Sequence, residues 1–471
     1  MTGGSRNDRR IAPSRGWPTT HWLRRIAGSP RTARAGWLLA TAVLAALGAV
    51  ARQEGVPRLR TIWAEDGAVF AQCAFDQSLL RCLVTPYDAW ILALPRLLAS
   101  VATAFDPSLL SYALTALAAI VTAGAAVLVA RAVADTTGFH LGAFVAGASL
   151  SLVYSAGGEI GGNVTNLHWV LLAAGVAVTI STWLGHRFDW ADGILIALLV
   201  TSTPFGVLIV AFAAIGAMLR RPHMLRVTLL AGAVALVQLG VTLTTPRIGL
   251  PVDPLAQGAP LWLYPLALVR LYLDTVVAVG IFGGRAVVPD WLISGGVTVT
   301  ILILLARSTR QTRPATDGRS DPAGRPSVVD AVAVGAMIGA GMAVFAASWL
   351  LNHYVTSRHI YVASALTVVA IVVGLARLRT EPPDGAMPPR GSPVGSAIQV
   401  LIALALAIGF ASSFRVDSVA GLGPDFPAEV AAGRPQCQAG AQVLVLRISP
   451  LPTSANPTIW EITLPCDRLR G

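Results

Sequence analysis

The sequence contains no lysine and few charged residues of any kind. All 35 basic residues are arginine, and charged residues make up 13% of the 471 positions. That share is about half of what soluble globular domains carry. The mean hydropathy is +0.65, and apolar runs long enough to cross a bilayer recur along the chain. The composition excludes an ordinary soluble protein and predicts an all-α polytopic membrane protein.

The positive charge has a membrane explanation. A net charge of +11 in a soluble protein would suggest nucleic acid as a partner. Here many arginines lie in short loops between apolar runs, and cationic loops resist translocation and stay in the cytosol. We therefore predict a lipid bilayer as the partner, and no nucleic acid. The arginine-rich residues 1–35 are interpreted as a disordered cytosolic tail, because no convincing signal-peptide cleavage site follows them.

The membrane-embedded part is predicted to extend over residues 36–411. Its apolar runs fall at 36–52, 89–105, 108–131, 139–156, 167–184, 190–219, 224–244, 261–283, 291–306, 328–350, 360–376 and 394–411. The run 190–219 is longer than a single helix needs to cross the bilayer. Pro204 and Gly206 in its middle predict a break into two short helices or a kinked hairpin.

Two of these runs are interpreted as helices lying on the outer membrane surface. The run 89–105 has Arg96 in its middle, where a cation is costly in lipid. The run 261–283 has Arg270 and Asp274 four residues apart, so they can pair on one polar face. With both runs outside the bilayer, every basic loop faces the cytosol. This topology has eleven spans in the plasma (inner) membrane, a cytosolic N-terminus and an extracytoplasmic C-terminus; if both runs span instead, three basic loops move outside.

The four cysteines all lie in segments that this topology places outside the cytosol. These segments are the first external loop, 53–107, and a terminal segment, 412–471. The loop contains Cys73 and Cys82, and the terminal segment contains Cys437 and Cys466. An even number on the oxidising side predicts two disulfides, each local in sequence. The terminal segment alternates proline-rich pieces with short β-like stretches and is interpreted as a small extracytoplasmic unit.

Polar residues concentrate at the outer ends of the predicted spans. Glu65 and Asp66 stand side by side between Trp63 and Phe70, and adjacent carboxylates in apolar surroundings need either water or a chemical role. Further candidates occur in "PYDAW", "GGEIGGNVTNLHW" and "LNHYVTSRHIY" and in the run 89–105. They are Tyr87, Arg96, Glu159, Asn163, His168, His353, Arg358 and His359. The cytosolic loops have no such concentration, so any site is predicted to face outward.

The stretch "WAEDGAVF", followed by "PYDAWILALPRLLA" and a bundle with short or broken spans, resembles the GT-C glycosyltransferases. Those polytopic enzymes take sugar from a polyprenyl-phosphate carrier. The resemblance implies such a donor, with an envelope glycan or glycolipid as acceptor. It also implies that an acidic residue of the first external loop is the base or a metal ligand, with Asp66 the first choice and Glu65 the second. A divalent metal, Mg or Mn, stays open, with Asp66 as its ligand.

The implied chemistry gives roles to several of these residues. An inverting transfer needs a base for the acceptor hydroxyl and stabilisation of the departing phosphate. Arg358 is the predicted phosphate contact, because a guanidinium offers several donors in one plane. The alternatives are a solvated helix end for the acidic pair and an interfacial anchor for Arg358 or Arg96. Asn163, in "NVT", also matches a glycosylation acceptor pattern.

Two other functions compete with transfer. A transporter or flippase of lipid-linked sugars would share the gross composition, but transporters place ionisable residues near the bilayer midplane and often show repeated halves. The midspan regions here are poor in charge, and no internal repeat is evident. A non-catalytic partner in envelope assembly is the third hypothesis, and it would leave the acidic pair dispensable.

Overall fold

The structure is a computed structural model. It describes residues 30–245, 281, 328–352, 357–377, 406–411, 414–416, 418–452 and 458–469. Outside the described residues lie the tail 1–29, the run 291–306, most of the runs 261–283 and 394–411, and His353. The side chain of His359 is likewise outside the description.

Helices dominate the described chain. They are α1 (Pro30–Ala51), α2 (Gln72–Asp76), α3 (Leu79–Val84), α4 (Ala93–Ala102), α5 (Leu110–Thr137), α6 (His140–Leu152), α7 (Leu167–Trp183), α8 (Trp190–Val200), α9 (Val207–Met218), α10 (Met224–Thr244), α11 (Val328–Asn352), α12 (Ser357–Arg377) and α13 (Phe426–Gln438). Two strands follow, β1 (Val443–Arg447) and β2 (Glu461–Pro465). A π-helical segment at Asp66–Ala71 precedes α2.

Within the described residues, four helical segments are long and apolar enough to cross a bilayer. They are Thr32–Ala51, Pro107–Thr137, Met224–Thr244 and Val329–Ala347. Six further apolar helices have 10–17 residues, so they rise about 15–25 Å and are shorter than a hydrocarbon core of about 30 Å. This supports a multi-pass membrane protein, but the eleven predicted spans are not confirmed.

The predicted break in the run 190–219 is confirmed. A 3₁₀ turn at Pro204–Gly206 separates α8 from α9. The Thr203 hydroxyl accepts a hydrogen bond from the Phe205 N–H at 3.3 Å, which caps this turn. In the same break, Ser202 Oγ accepts the N–H of Leu94 at 3.0 Å. The interruption therefore supplies the polar groups that hold the start of α4.

The run 89–105 forms α4, a helix of 10 residues that is about 15 Å long and too short to span. Arg96 is only 2% exposed, and its Cζ lies 5.3 Å from the centroid of the Phe70 ring. A side chain enclosed in this way does not reach out to an interface. Arg96 is therefore not the anchor at the membrane surface that the sequence suggests.

The two ends of α1 carry different polar groups. Near its start, Arg34 pairs with Asp135 at 2.7 Å, and His186 Nδ1 contacts the same carboxylate at 3.0 Å. Beyond its end, Arg52 donates to the carbonyl of Val153 at 2.8 Å. A helix of 22 residues is about 33 Å long, close to the thickness of the hydrocarbon core. Basic loops thus gather at the end where α1 begins; which side of the membrane that end faces stays a prediction.

The terminal segment contains a small disulfide-bonded unit. β1 and β2 pair antiparallel, with Leu444 opposite Leu464 and Leu446 opposite Ile462, and these four side chains are buried. The predicted disulfides are both present. They join Cys73 to Cys82 and Cys437 to Cys466.

This unit packs onto the loop 53–107, which the sequence predicts to be external. The Ser449 N–H donates to the Ile62 carbonyl at 3.0 Å, and the Thr463 N–H donates to Gln72 Oε1 at 2.8 Å. These two bonds lie on either side of the acidic pair in sequence. The terminal segment therefore covers the part of the loop that holds Glu65 and Asp66.

Gly67 allows the close approach of the terminal segment. A Cβ at this position would lie 2.5 Å from Ile448 Cδ1 and 2.9 Å from Ile62 Cγ2. We expect Gly67→Ala to lower the free energy of unfolding by about 1–3 kcal/mol, because overpacking forces these side chains to shift. Thermal unfolding of the purified protein in detergent measures this loss. Gly36→Ala is the control, since nothing lies within 4 Å of a Cβ there, and equal Tm changes in both variants would contradict the expectation.

Candidate functional site

Asp66 joins the loop 53–107 to the loop before α7. Its side chain is 2% exposed and accepts the N–H groups of Val164 at 3.1 Å and Thr165 at 2.8 Å, together with the Thr165 hydroxyl. Burial raises the pKa of Asp66 to about 6, although these hydrogen bonds and the charge of Arg58 act in the opposite direction. Asp66 is thus a buried acid whose oxygens already have partners.

Arg58 is the cation that accompanies Asp66, and sequence reasoning missed it. Its side chain is 2% exposed, donates to Gln53 Oε1 at 3.2 Å and has its Cζ 5.8 Å from the Trp63 ring centroid. Burial lowers the pKa of Arg58 to about 10, partly offset by the charge of Asp66. In the sequence, Arg58 stands eight residues before Asp66, in "RLRTIWAED". Neither the helix nor the strand period singles out this spacing, so the sequence gives little reason to pair the two residues.

Glu65 lies beside Asp66 in sequence but has different surroundings. Its side chain is half-buried, and no described residue makes a hydrogen bond to Oε2. The Tyr87 hydroxyl lies within hydrogen-bonding reach of the Glu65 carboxylate. Burial raises the pKa of Tyr87, and the negative charge of Glu65 adds to the shift. Glu65 therefore has one buried carboxylate oxygen that the described residues leave without a hydrogen bond.

Glu159 and Arg358 complete the group around Glu65. Arg358 Nε lies 3.7 Å from Glu159 Oε2, and the two side chains are 30% and 25% exposed. Burial raises the pKa of Glu159; the charge of Arg358 lowers it and that of Glu65 raises it. His168 is near enough to Arg358 to sense its charge, and its Nδ1 lies 2.7 Å from the Thr165 carbonyl oxygen. We call these residues the Glu65 cluster: Glu65, Tyr87, Glu159, His168 and Arg358.

Aromatic rings form a continuous series beside the cluster. The His168 and Trp169 ring centroids are 4.7 Å apart, and Trp169 lies 5.5 Å from Phe205. Trp90 lies 6.0 Å from Phe205 on its other side. The cluster thus combines charged groups with a rigid apolar wall drawn from the loop before α4, the start of α7 and the break before α9.

Asn163 has a different place from the one the sequence suggests. Its side chain is fully buried; Nδ2 donates to the Glu159 carbonyl and Oδ1 accepts the N–H of Asn166 at 2.8 Å. Both polar groups of the side chain are thus bonded within its own loop, and a contact of Asn163 with substrate or glycan stays a prediction. Asn163 instead shapes the backbone that presents Glu159. Arg96, against Phe70, is likewise enclosed in the protein.

A divalent metal does not fit the described residues. No group of three or more His, Cys, Asp or Glu side chains in the described part of the chain could hold one. The hydrogen bonds at Asp66 come from N–H and O–H donors, and Arg358 already places a cation beside Glu159. The divalent metal that the resemblance leaves open at Asp66 therefore has no ligand set among the described side chains.

No protein-family model matches the chain, and no curated protein matches it in sequence. Among solved structures it is similar to the Archaeoglobus fulgidus oligosaccharyltransferase in complex with Zn and sulfate, with a TM-score of 0.43, 14% identity, and coverage of 86% of this chain and 55% of that one. The apo form gives a TM-score of 0.42, 15% identity, and coverage of 88% and 59%. The oligosaccharyltransferase AglB of the same organism, in complex with an inhibitory peptide and a dolichol-phosphate, gives a TM-score of 0.36 and 14% identity. That match covers 87% of this chain and 58% of the other. The chain thus spans little more than half the length of these structures.

Proposed function

We propose that the protein is a membrane glycosyltransferase that moves a sugar from a polyprenyl-phosphate donor to a hydroxyl group of an envelope glycan or glycolipid. The observation that carries the proposal is the Glu65 cluster. It puts a half-buried carboxylate with a free oxygen close to a partly exposed arginine at one end of a membrane bundle. A base and a cation at one place are what transfer from a lipid phosphate requires.

Glu65 is the proposed base, in preference to Asp66. The acceptor hydroxyl oxygen bonds to the anomeric carbon while the bond from that carbon to the phosphate oxygen breaks. The phosphate leaves with the bonding electron pair, and Glu65 takes the hydroxyl proton. Glu65 Oε2 has no partner among the described residues, whereas both oxygens of Asp66 accept hydrogen bonds. Of the two residues, only Glu65 has an oxygen that the described residues leave unpaired and that can accept a proton without losing a hydrogen bond.

Arg358 is the proposed contact for the departing phosphate. Its Nε is 3.7 Å from Glu159 Oε2, which is too long for a hydrogen bond but close enough to hold the guanidinium in place. A phosphate near Arg358 would be stabilised by several parallel donors. Glu159 orients the guanidinium, and the Glu159 loop is in turn held by Asn163.

Asp66 is the proposed positioning residue. It binds the N–H groups of Val164 and Thr165, directly before the turn that leads into His168 and α7. Its ionised form accepts these bonds, while a protonated carboxyl would turn an O–H toward N–H donors. Ionisation of Asp66 therefore keeps the first external loop and the loop before α7 in register.

The test is transfer of radiolabelled sugar from a panel of polyprenyl-phosphate donors in membranes that contain the full-length chain. Label that moves to a glycan or glycolipid fraction only when the chain is present supports the proposal. Donor-dependent movement of intact lipid-linked sugar across the membrane without transfer would establish a flippase instead. Failure of every donor, with correctly folded protein, would overturn the catalytic proposal in favour of an assembly role.

The pH dependence of transfer should report the ionisation of Asp66. With a pKa of about 6, Asp66 becomes protonated below that pH, so the wild-type rate should fall on the acid side with a midpoint near pH 6. The Thr165 hydroxyl donates to the ionised carboxylate and lowers this pKa. Thr165→Val should therefore move the acid limb to higher pH.

The measurement is the pH–rate profile of wild type and variant at saturating donor. Thr179→Val is the matched control, because Thr179 is also a buried threonine, lies within α7 and makes no hydrogen bond with Asp66. A limb that moves in neither variant would show that Asp66 does not control the acid side of the profile.

A further inference from the structure

Two adjoining cavities lie at the end of the bundle where α1 begins, remote from the Glu65 cluster. One has a volume of about 220 Å³ and is lined by the loops on either side of α8 and α9, including Arg187, Arg221 and His223. The other has a volume of about 530 Å³ and runs between α8 and α10. Phe188 and His223 line both. The two cavities therefore form one depression with two kinds of lining.

The smaller cavity is suited to an anion. None of the described residues that line it is acidic. Arg187 makes no hydrogen bond or ion pair to any described residue and is exposed. Arg221 donates to the Trp183 carbonyl, which fixes its guanidinium at the cavity, while its buried Nε has no partner among the described residues. Two guanidinium groups with spare donors match the oxygens of a phosphate.

The charges around the cavity leave this basic character intact. His186 also lines it, but its two ring nitrogens contact Asp135 and Asp192, each at 3.0 Å. Asp192 is paired with Arg131 at 2.5 Å, and Asp189 with the same arginine at 2.6 Å. These carboxylates are thus paired with Arg131 or His186, although Asp189 also lines the larger cavity. Arg187, Arg221 and His223 are the basic residues of the smaller cavity that pair with none of them.

The loop that supplies this site is strained. Arg220 has φ of 55° and His223 has φ of 67°, a left-handed conformation that residues with a Cβ seldom adopt. Strain of this kind persists where the surroundings fix it and is common at binding sites. The strained turn brings Arg221 and His223 to the cavity just before α10 begins.

The larger cavity is suited to a hydrocarbon chain. Its wall is formed by apolar side chains of α8 and α10, among them Ile196, Val200, Val227, Leu230 and Val234. Leu230 is 71% exposed, and α10 is one of the helices able to span the bilayer, so the groove opens sideways to lipid. From residue 223 to residue 234 it extends about 16 Å along the helix.

We propose that this depression binds an anionic glycerophospholipid from the leaflet next to the start of α1. The headgroup phosphate lies between Arg187, Arg221 and His223, and one acyl chain lies in the groove between α8 and α10. Trp190, 78% exposed at the mouth of the groove, lies at the headgroup depth where indole rings are enriched. A free phosphate would use the basic cavity alone and leave the adjoining apolar groove unexplained.

The experiment measures lipid retention by the full-length protein with native mass spectrometry. The probes are phosphatidylglycerol, phosphatidylcholine and inorganic phosphate. Wild type should retain phosphatidylglycerol in preference to phosphatidylcholine. Arg187→Gln should reduce that retention about tenfold, since it removes a charge-assisted contact. Ala197→Phe should reduce it too, because Ala197 lines the groove and is exposed. Arg220→Gln is the control, since Arg220 is exposed in the same loop but outside both linings.

The outcomes separate the sources of the phosphate. Equal retention of both lipids would overturn the proposal, because the basic cavity would then give no selectivity. Displacement of phosphatidylglycerol by inorganic phosphate, with Ala197→Phe behaving as wild type, would overturn it in favour of a small-anion site. Loss in Arg187→Gln and Ala197→Phe, with Arg220→Gln unchanged, would support it.

Discussion

Glu65→Gln is expected to reduce sugar transfer by about two or more orders of magnitude, with no change in Tm. General-base catalysis contributes roughly 10²–10⁴-fold to a rate, and an amide cannot take the acceptor proton. The substitution keeps the size of the side chain, and Oε2 has no hydrogen-bond partner among the described residues to lose. Single-turnover transfer from labelled donor measures the effect on the chemical step, and thermal unfolding measures stability.

The matched control for this substitution is Glu54→Gln. Glu54 belongs to the same external loop but is exposed, and only its backbone N–H has a described hydrogen bond, to the Val416 carbonyl at 3.2 Å. It should transfer sugar at the wild-type rate. If Glu65→Gln also retains full activity, the acidic pair is a loop feature and the base lies elsewhere. Binding of the donor should persist in Glu65→Gln, since the proposed phosphate contact is Arg358.

Asp66→Asn is expected to lower the free energy of unfolding by about 2–4 kcal/mol as well as to reduce transfer. In the wild type, both Asp66 oxygens accept N–H hydrogen bonds, one from Val164 and one from Thr165. The asparagine side chain has only one oxygen, so one of these hydrogen bonds is lost. The loss leaves buried donors unsatisfied and the buried charge of Arg58 without a counter-charge. Thermal or denaturant unfolding in detergent measures the change. The contrast with Glu65→Gln, which should spare stability, separates positioning from proton transfer.

A double-mutant cycle shows whether Arg58 and Asp66 act as a pair. Arg58→Gln alone should also be destabilising, because it leaves the Asp66 charge buried without compensation. The Asp66→Asn/Arg58→Gln variant should be more stable than the sum of the single losses predicts, by about 1 kcal/mol or more. Strict additivity of the two losses would contradict the coupling and reduce Asp66 to a hydrogen-bond acceptor.

The sequence was sufficient for features that depend on neighbouring residues. Pro204 and Gly206 interrupt a helix by their own covalent geometry, so the break between α8 and α9 could be predicted. The pairing of Cys73 with Cys82 followed from their placement in one external loop. The β-like pieces of the terminal segment form β1 and β2. Burial alternates along β1, with Leu444 and Leu446 on the buried face.

The arrangement of the site depended on contacts between distant residues, which single-sequence reasoning does not provide. Asp66 and Glu65 look equivalent in "WAEDG", yet the first is buried against Thr165, 99 positions away, and the second faces Tyr87. The preference for Asp66 as base came from the family resemblance, and the choice between the two carboxylates stays a prediction. Arg358 could be selected as a charged residue near a span end, but its proximity to Glu159 arises only from packing of α12 against the bundle.

The terminal segment covers the part of the loop 53–107 that holds Glu65 and Asp66. This contact also determines the order in which parts of the molecule can assemble. The Gln72 side chain can accept its hydrogen bond from Thr463 only after that residue has been synthesised, 391 residues later. At synthesis rates of about 5–20 residues per second, that interval is roughly 20–80 s. During this time the acidic pair lies in a nascent chain whose cover does not yet exist. The Cys73–Cys82 bond, with a separation of 9 residues, can close early and hold the loop, whereas the Cys437–Cys466 bond can form only after residue 466 has been made. The contacts that cover Glu65 and Asp66 therefore form long after the loop that carries these two residues has been made.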